Sequence, residues 1–316
     1  MTSGRAITAH TAAAQRSSRL QLIIKNYQIY LMLLPCLLYF AIFCYGPMYG
    51  VQIAFKDYNT GIGIWNSPWV GLKHFRRFMS MPQFWQVFKN TLLLSLYSLI
   101  AGFPFPILIS LMINEISRHR FKKVIQTVTY APHFISTVVM VAMISLFLSP
   151  TSGFINKFIE ALGGEAINFM IKPAYFPHIY VWTGIWQHFG WNSIIYLAAL
   201  ASVDEALHES AVLDGASRLQ RIWYINLPCM APTIVIQLIL SLGGILGADF
   251  EKVLLMQNAS IMETADIIGT YTYRIGILGS EFSLSSAIGI LNSVINLIML
   301  VLVNGICRRI SDTSLW

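Results

Sequence analysis

Six long stretches of this chain contain no Asp, Glu, Lys or Arg, and this limits what the chain can fold into. They are Asn26 to Phe55, Asn90 to Asn114, Val124 to Asn156, Pro173 to Val203, Ile222 to Ala248 and Phe282 to Cys307. Each exceeds the roughly 20 apolar residues that cross a bilayer core. Backbone groups find no water at that depth, so a span is a helix or part of a closed barrel. The period-two alternation of barrel strands is absent, which predicts an all-α membrane protein with six transmembrane helices.

The rest of the composition divides the chain into one membrane domain with two tails. Only 11% of the 316 residues are charged, against roughly 25% in soluble domains. The first span is too long for a signal-peptide core and has no A-x-A site, which predicts an uncleaved helix. We predict an N-terminal tail over 1–27, a membrane domain over 28–310 and a C-terminal tail over 311–316. The four cysteines lie within or at the edges of the spans, without a C-x-x-C pair, and are expected to be free thiols.

The distribution of basic residues predicts the orientation. Six spans place both termini on one side, and that side carries twelve of the 21 Lys and Arg residues, leaving nine for the other. The cluster from Arg118 to Lys123 supports a cytoplasmic location for the first of these sides, whereas Arg76 and Arg77 oppose it. Because cytoplasmic loops carry an excess of Lys and Arg, the prediction is N-in and C-in.

Prolines mark the positions where spans are expected to bend. Pro35, Pro104, Pro106 and Pro132 lie within the uncharged stretches and predict kinks or breaks. Pro228 stands near the start of the fifth stretch, where a proline suits the first turn of a helix. The sequence therefore predicts that the fifth span opens at Pro228.

A polar segment, residues 204–228, separates the fourth and fifth stretches. Asp204 precedes a run of helix-forming residues and predicts an N-cap. Gly215 interrupts this run and predicts a turn, because glycine costs about 1 kcal/mol within a helix. The segment is expected to form helix, turn and helix on the cytoplasmic side. Its small residues are suited to a groove on another protein, and the alternative is an amphipathic helix that lies on the lipid headgroups.

The residues of this segment resemble the "EAA" loop of binding-protein-dependent ABC importers. The pattern E-x-A-x-x-D-G-A, followed by I-x-L-P, comprises Glu209, Ala211, Asp214, Gly215, Ala216, Ile225, Leu227 and Pro228. Ser210 replaces the middle alanine of E-A-A, one small residue for another. The stretches "WVGLKHF" from Trp69, "WQHFGWNSIIYLAAL" from Trp186, "FEKVLLMQN", "ETADIIGTYTYRIG" and "RRISDTSLW" are similar to permeases that carry oligosaccharides or polysaccharide fragments.

The resemblance implies the remaining parts of a transporter. It implies a type I ABC importer permease fold in the bacterial cytoplasmic membrane, and a second permease that forms a heterodimer with this chain. It also implies two cytoplasmic ATPase subunits that bind ATP and Mg, and an extracytoplasmic binding protein that delivers oligosaccharide. Residues 209–228 would couple ATP hydrolysis to movement of the fourth and fifth spans. No cofactor on this chain and no nucleic acid partner are implied.

The sequence contains no motif for enzyme chemistry. It has no G-x-x-x-x-G-K-[ST], no H-E-x-x-H and no G-x-S-x-G. We therefore expect no catalytic residue and no metal ligands, and we expect partner chains to hydrolyse ATP. An ion-driven secondary transporter is the alternative. Such transporters usually carry ionisable residues at mid-membrane, and the six stretches have none.

Aromatic and amide residues within the spans are candidates for sugar contact. Aromatic rings face the CH groups of a pyranose, whereas amides bind its hydroxyl groups. The candidates are Trp182, Trp186, Gln187, Trp191, Asn192, Gln237 and Asn292. Two alternatives remain open: tryptophans also form interfacial belts, and buried amides also join helices to one another.

Overall fold

The structure is a computed structural model that describes residues 24–310. The C-terminal tail and most of the predicted N-terminal tail lie outside the described residues. Within them the chain is built from helices, and its single isolated β-bridge joins Lys56 to Trp69. The four cysteines are free thiols, as predicted.

Twelve helices, connected by shorter helical turns and loops, form the described part of the chain. They are α1 (Tyr27–Phe55), α2 (Lys73–Ser80), α3 (Pro82–Asn114), α4 (His119–Phe134), α5 (Thr137–Phe147), α6 (Phe154–Ala161), α7 (Phe176–Ala201), α8 (Glu205–Leu213), α9 (Arg218–Gly243), α10 (Phe250–Met256), α11 (Ile268–Tyr273) and α12 (Phe282–Ile310). Within α1 and α9, single π-helical turns occupy Phe40–Tyr45 and Ile222–Asn226.

Four helices of the described residues are long and apolar enough to cross a membrane, namely α1, α3, α9 and α12. The pair α4 and α5 counts as a fifth span if its two bent halves are taken together. The fourth uncharged stretch coincides with α7, which has 26 residues but carries Trp, His and Gln side chains along its length. These spans coincide with the uncharged stretches, although α3 begins earlier than predicted and includes Lys89.

The third uncharged stretch, Val124 to Asn156, is not one straight helix, because it breaks at Pro132 as predicted. A 3-10 turn that contains Pro132 ends α4, and α5 starts at a new N-cap, Ser136. The two helices meet at 97°. Proline removes a backbone donor, so the helical ladder ends there. After α5 the chain turns again, and the amide of buried Asn156 donates to the carbonyls of Leu148, Ser149 and Ile167.

The other prolines have smaller effects. Helix α3 is interrupted at Phe103, directly before Pro104 as predicted, and then continues through Pro106. Helix α1 runs through Pro35. Pro228 lies in the first turn of the α-helical segment Leu227–Gly243, as predicted, although α9 as a whole begins ten residues earlier at Arg218. The π-helical turn Ile222–Asn226 directly precedes it and provides a local adjustment of the kind that accommodates a proline inside a membrane helix.

Helix α7 lies at the centre of the bundle. It packs along α3 and also contacts α4 and α9. Near its start, Phe176, Tyr180 and Val181 join a buried cluster with residues of α3, α5 and α10. Near its end, Tyr196 and Leu200 pack against Leu111 and Met230. Helix α12 packs against α9, α2 and the last turns of α1.

The first two thirds of α1 contact little else in this chain. None of its residues from Tyr27 to Tyr45 is buried. A helix that is apolar on all sides belongs in lipid or against another membrane chain. The core of this chain is therefore formed without the first two thirds of α1.

Candidate functional site

The segment 204–228 begins with a well-capped helix. The carboxylate of Asp204 accepts from the backbone N–H of Ala206 at 3.0 Å, which confirms the predicted N-cap. Helix α8 then carries Glu209, Ser210 and Ala211. Glu209 and Ser210 are exposed, whereas Ala211 is half-buried. The negative charge of the E-x-A pattern is therefore presented on the surface.

Gly215 ends this helix in a Schellman motif. The N–H of Gly215 donates to the carbonyl of Val212 at 3.0 Å, and the N–H of Ala216 donates to that of Ala211 at 2.8 Å. Gly215 has φ +82°, and a Cβ added there would have no heavy atom within 4 Å. Glycine is needed for its backbone conformation, since space is available. This confirms the turn predicted at Gly215.

A second cap starts the next helix immediately. The N–H of Ser217 donates to Gln220 Oε1 at 2.8 Å, and the N–H of Gln220 donates to Ser217 Oγ at 3.4 Å. This capping box opens α9, which continues into the membrane helix. The predicted second short helix is thus the first turn of a long one. The turn therefore joins α8 to α9 without an intervening loop.

The segment is anchored at one end and exposed at the other. Ile222 and Leu227 pack against the buried cluster of Leu111, Tyr196 and Met230. Ile225 is half-buried and Pro228 is exposed. By contrast, Leu213 is 88% exposed, and Leu219 is 78% exposed. Segment 204–228 therefore exposes two large apolar side chains beside its polar residues.

A cavity of about 870 Å³ lies among α3, α7, the end of α9 and the chain that follows α9. Its polar lining residues include Ser98, Tyr180, His188, Asn192, Gln237 and Lys252. This volume lies within the usual range for small-molecule sites. Aromatic, amide, hydroxyl and charged groups therefore converge on one space beside the central helix.

Comparison with known proteins identifies the family. Residues 102–312 match the family described as "Binding-protein-dependent transport system inner membrane component". The chain belongs to this family. Members of this family are transport components rather than enzymes. This chain is an ABC transporter permease of the inner membrane.

Individual relatives cover nearly all of this permease. It is 42% identical over 305 residues to the polygalacturonan/rhamnogalacturonan transport system permease protein YteP of Bacillus subtilis, covering 96% of this chain and 95% of that protein. It is 41% identical to protein LplB of the same organism over 288 residues, covering 91% of each chain. A crystal structure of a bacterial alginate ABC transporter, in complex with alginate pentasaccharide-bound periplasmic protein, matches with a TM-score of 0.85 and 41% identity. That match covers 93% of the permease and 99% of the other chain.

Three of the seven sugar-contact candidates line the cavity. They are Trp191, Asn192 and Gln237. The indole of Trp191 stacks on His133 with ring centroids 4.4 Å apart and an interplanar angle of 7°. His133 in turn lies with its Nδ1 3.1 Å from Nδ1 of His188, another lining residue. The orientation of Trp191 is therefore set by contacts with the turn that ends α4.

The other four candidates do not line this cavity. Trp182 donates from Nε1 to Tyr97 Oη at 3.1 Å, and Trp186 is 45% exposed. Gln187 is buried and donates to the carbonyl of Ile135 at 2.9 Å, a carbonyl in the break between α4 and α5. Asn292 lies on α12, and its Oδ1 is buried without a hydrogen-bond partner in residues 24–310. Trp182 and Gln187 thus make contacts that join helices.

No sequence pattern predicted that Tyr180, His188, Asp249 and Lys252 line a cavity. Asp249 and Lys252 lie beyond the fifth uncharged stretch, and the chain folds back to bring them against α7. The aromatic residues at the start of α7 did not indicate in the sequence that Asp249 and Lys252 would contact this helix. Within the described residues, no three His, Cys, Asp or Glu side chains are grouped as metal ligands.

An ion-pair network follows the end of α1. Lys73 Nζ donates to Asp57 Oδ2 at 2.6 Å. Nε2 of buried His74 lies 2.9 Å from Asp57 Oδ1, although its geometry is not that of an aligned hydrogen bond. The hydrogen bond from Lys73 holds the pKa of Asp57 below its usual value, and the charge of Lys73 and the contact with His74 lower it further. The network joins the loop after α1 to helix α2.

Proposed function

We propose that this permease is one of two membrane subunits of an ATP-driven importer of oligosaccharides. The relatives named for polygalacturonan/rhamnogalacturonan and for alginate support oligosaccharide as the substrate class. The cavity beside α7 supports it too, because its Trp, Asn, Gln and Ser side chains suit the faces and hydroxyls of a sugar. A partner permease encloses the remainder of the pathway. The exposed surfaces of α1 and α7 contact lipid or that partner.

The proposed topology has six spans, with N- and C-termini in the cytoplasm. The spans are α1, α3, the pair α4 and α5, α7, α9 and α12. At 1.5 Å per residue, the 26 residues of α7 extend about 39 Å, which is sufficient to cross a hydrocarbon core of roughly 30 Å. Its polar side chains are compatible with this position because they face a cavity and neighbouring helices.

In this topology, segment 204–228 docks onto two separate ATPase subunits that bind ATP and Mg. The observation that carries this proposal is the double-capped turn at Gly215, which joins exposed α8 to the membrane helix α9 without a flexible linker. The proposed docking residues are Glu209, Ser210, Ala211, Asp214, Gly215 and Ala216, with Leu213 and Leu219 beside them. Ile225, Leu227 and Pro228 lie within α9 and transmit the movement of the docked turn along this helix. Coupling requires that the docked contacts differ in free energy between the two transport states.

Vesicles that contain the complete complex provide the test. We expect oligosaccharide uptake to require ATP on the side of segment 204–228 and the binding protein on the opposite side. Uptake should persist in the presence of a protonophore or sodium ionophore. Uptake that continues without ATP and collapses with an ionophore would instead establish the ion-driven alternative, which the family match already disfavours.

A labelling experiment tests the orientation separately. In a chain whose four cysteines are replaced by serine, Leu213→Cys should react with a membrane-impermeant maleimide only from the cytoplasmic side. A cysteine at Leu162, which is 74% exposed after α6, should react only from the outside. The reverse pattern would overturn the N-in, C-in topology.

A further inference from the structure

Lys252 is a buried cation on the wall of the cavity. It lies in the first turn of α10 and is 3% exposed. Its Nζ donates to the carbonyl of Tyr180 at 3.1 Å and lies 5.1 Å from the centroid of the Tyr180 ring. An ammonium group carries three N–H donors, and the carbonyl uses one of them. Two donors therefore remain for another group.

No carboxylate in the described part of the chain forms an ion pair with this lysine. The four ion pairs of the described residues join Lys73 and His74 to Asp57, Arg77 to Glu281 and Arg274 to Asp266. A buried charge normally has a partner, because removing it from water is costly. Among residues 24–310, the direct contacts of its ammonium are a carbonyl and a ring face.

The carboxylate of Asp249 also lines the cavity, but it accepts a backbone hydrogen bond rather than one from the ammonium. Asp249 caps α10, and its Oδ1 accepts from the backbone N–H of Lys252 at 3.2 Å. The backbone N–H of Asp249 donates to Tyr180 Oη at 2.9 Å. These bonds fix the start of α10 against α7, so the ammonium is held in place from both sides. The carboxylate of Asp249 contributes its field to the cavity wall but does not engage the ammonium.

A glycine of α7 lies against the ammonium. A Cβ built on Gly184 would lie 3.3 Å from Lys252 Nζ. Gly184 and Lys252 both line the cavity, and His188 lines it one helical turn further along α7. Because Gly184 has no side chain, the ammonium fits closely against α7 at the wall of the cavity.

We propose that Lys252 binds the carboxylate of an acidic sugar unit in the cavity and makes the permease selective for anionic over neutral oligosaccharides. This inference rests on the proposed function and specifies its substrate class. A carboxylate that enters the cavity supplies the missing charge partner and accepts the free N–H donors, and such charge-assisted bonds are strong where water is excluded. Asn192 and Gln237 then bind hydroxyl groups of the same or a neighbouring unit.

The experiment compares two probes with the same sugar skeleton. Vesicles that contain the complete importer receive trigalacturonate or its fully methyl-esterified, uncharged form, each at a concentration that saturates the binding protein. The ratio of the two uptake rates is measured for the unaltered permease and for Lys252→Met. Since the binding protein is the same throughout, a change in the ratio comes from the permease. Lys157→Met is the matched control, because Lys157 is exposed in α6 outside the cavity.

We expect Lys252→Met to lower the preference for trigalacturonate on the order of tenfold, the size expected when one partner of a desolvated charge pair is removed. The melting temperature of Lys252→Met should match that of Lys157→Met. An unchanged ratio overturns the inference. Equal loss of both probes with a lowered melting temperature also overturns it, because it assigns Lys252 a structural role only.

Two further results separate this inference from the proposed function. Gly184→Ala retains the charge and crowds Nζ, so it should lower the same ratio even if Lys252→Met fails to assemble. If the unaltered importer carries maltotriose but not trigalacturonate, the charge selectivity is wrong and the proposed function stands. If no oligosaccharide enters in an ATP-dependent manner, the proposed function itself is wrong.

Discussion

The backbone N–H of Ala216 reaches over Gly215 to donate to the carbonyl of Ala211 at 2.8 Å. This bond reverses the chain at the end of α8 and directs it into α9. It requires the left-handed conformation of Gly215, which side chains with a Cβ adopt only at a cost. The coupling proposed for segment 204–228 depends on this turn.

Substitutions at Gly215 should follow backbone preference rather than size. Gly215→Val should reduce substrate-stimulated ATPase activity strongly, because a β-branched residue at φ +82° is strained. Gly215→Asn should retain much of the activity, because asparagine tolerates this conformation. No heavy atom lies within 4 Å of the added Cβ, so a steric clash does not explain a loss. Equal loss in both variants would contradict the conformational account.

The exposed leucine of the turn should matter only in the assembled transporter. We expect Leu213→Ser to leave the melting temperature of the isolated permease unchanged, since this side chain is 88% exposed. Burying a leucine contributes about 1.5–3 kcal/mol, so its loss should weaken binding of the ATPase subunits roughly tenfold or more. Retention of ATPase during purification provides the measurement. Leu162→Ser is the control, and an equal effect there would refute a docking role for Leu213.

Close contact between α4 and α7 should be sensitive to a single methyl group. A Cβ on Gly190 would lie 2.0 Å from the carbonyl oxygen of Thr129, so one helix backbone must move. Gly190→Ala should destabilise the permease by about 1–3 kcal/mol or more, visible as a lower melting temperature in detergent. Gly289→Ala adds the same methyl group to α12, where no atom lies within 4 Å. A similar loss in both variants would show that the contact at Gly190 is unimportant.

The network around Asp57 should contribute to stability in a pH-dependent manner. The pKa of Asp57 is lowered in the folded chain, chiefly by the hydrogen bond from Lys73. Its contribution is therefore fully present above the unfolded-state pKa near 3.8 and is lost as the pH falls through the lower folded-state value. Asp57→Asn should be less stable than the unaltered chain at pH 7, with a small difference because the carboxylate is partly exposed.

Thermal unfolding of both proteins between pH 7 and pH 3 checks this. The difference in melting temperature should shrink toward the acid end. A difference that stays constant across the series would mean that packing, rather than charge, accounts for the effect. Arg76→Gln is a useful comparison, because Arg76 belongs to the same helix but to no ion pair of the described residues.

Much of the fold could be predicted from local features of the sequence. Uncharged length predicted the positions of α1, α3, α9 and α12, because lipid excludes unpaired charge and unsatisfied backbone groups along a whole span. The cap at Asp204 and the turn at Gly215 were also predictable, because both depend on the conformations of a few adjacent residues. The motifs around Glu209 and Gly215 were sufficient to predict the correct family.

Tertiary structure alone decided what surrounds the central helix. Gln187 was a candidate for sugar contact, but a carbonyl freed by the bend between α4 and α5 lies within its reach. Lys252 lies beyond the end of the fifth uncharged stretch, where the sequence suggests a loop. The chain nevertheless folds back and places Lys252 against α7 beside Gly184. Residues distant in sequence meet there through packing of whole helices, which local periodicity and turn preferences do not encode. The sequence alone thus determined where the four long apolar helices lie along the chain, and the tertiary structure decided which side chains share the cavity.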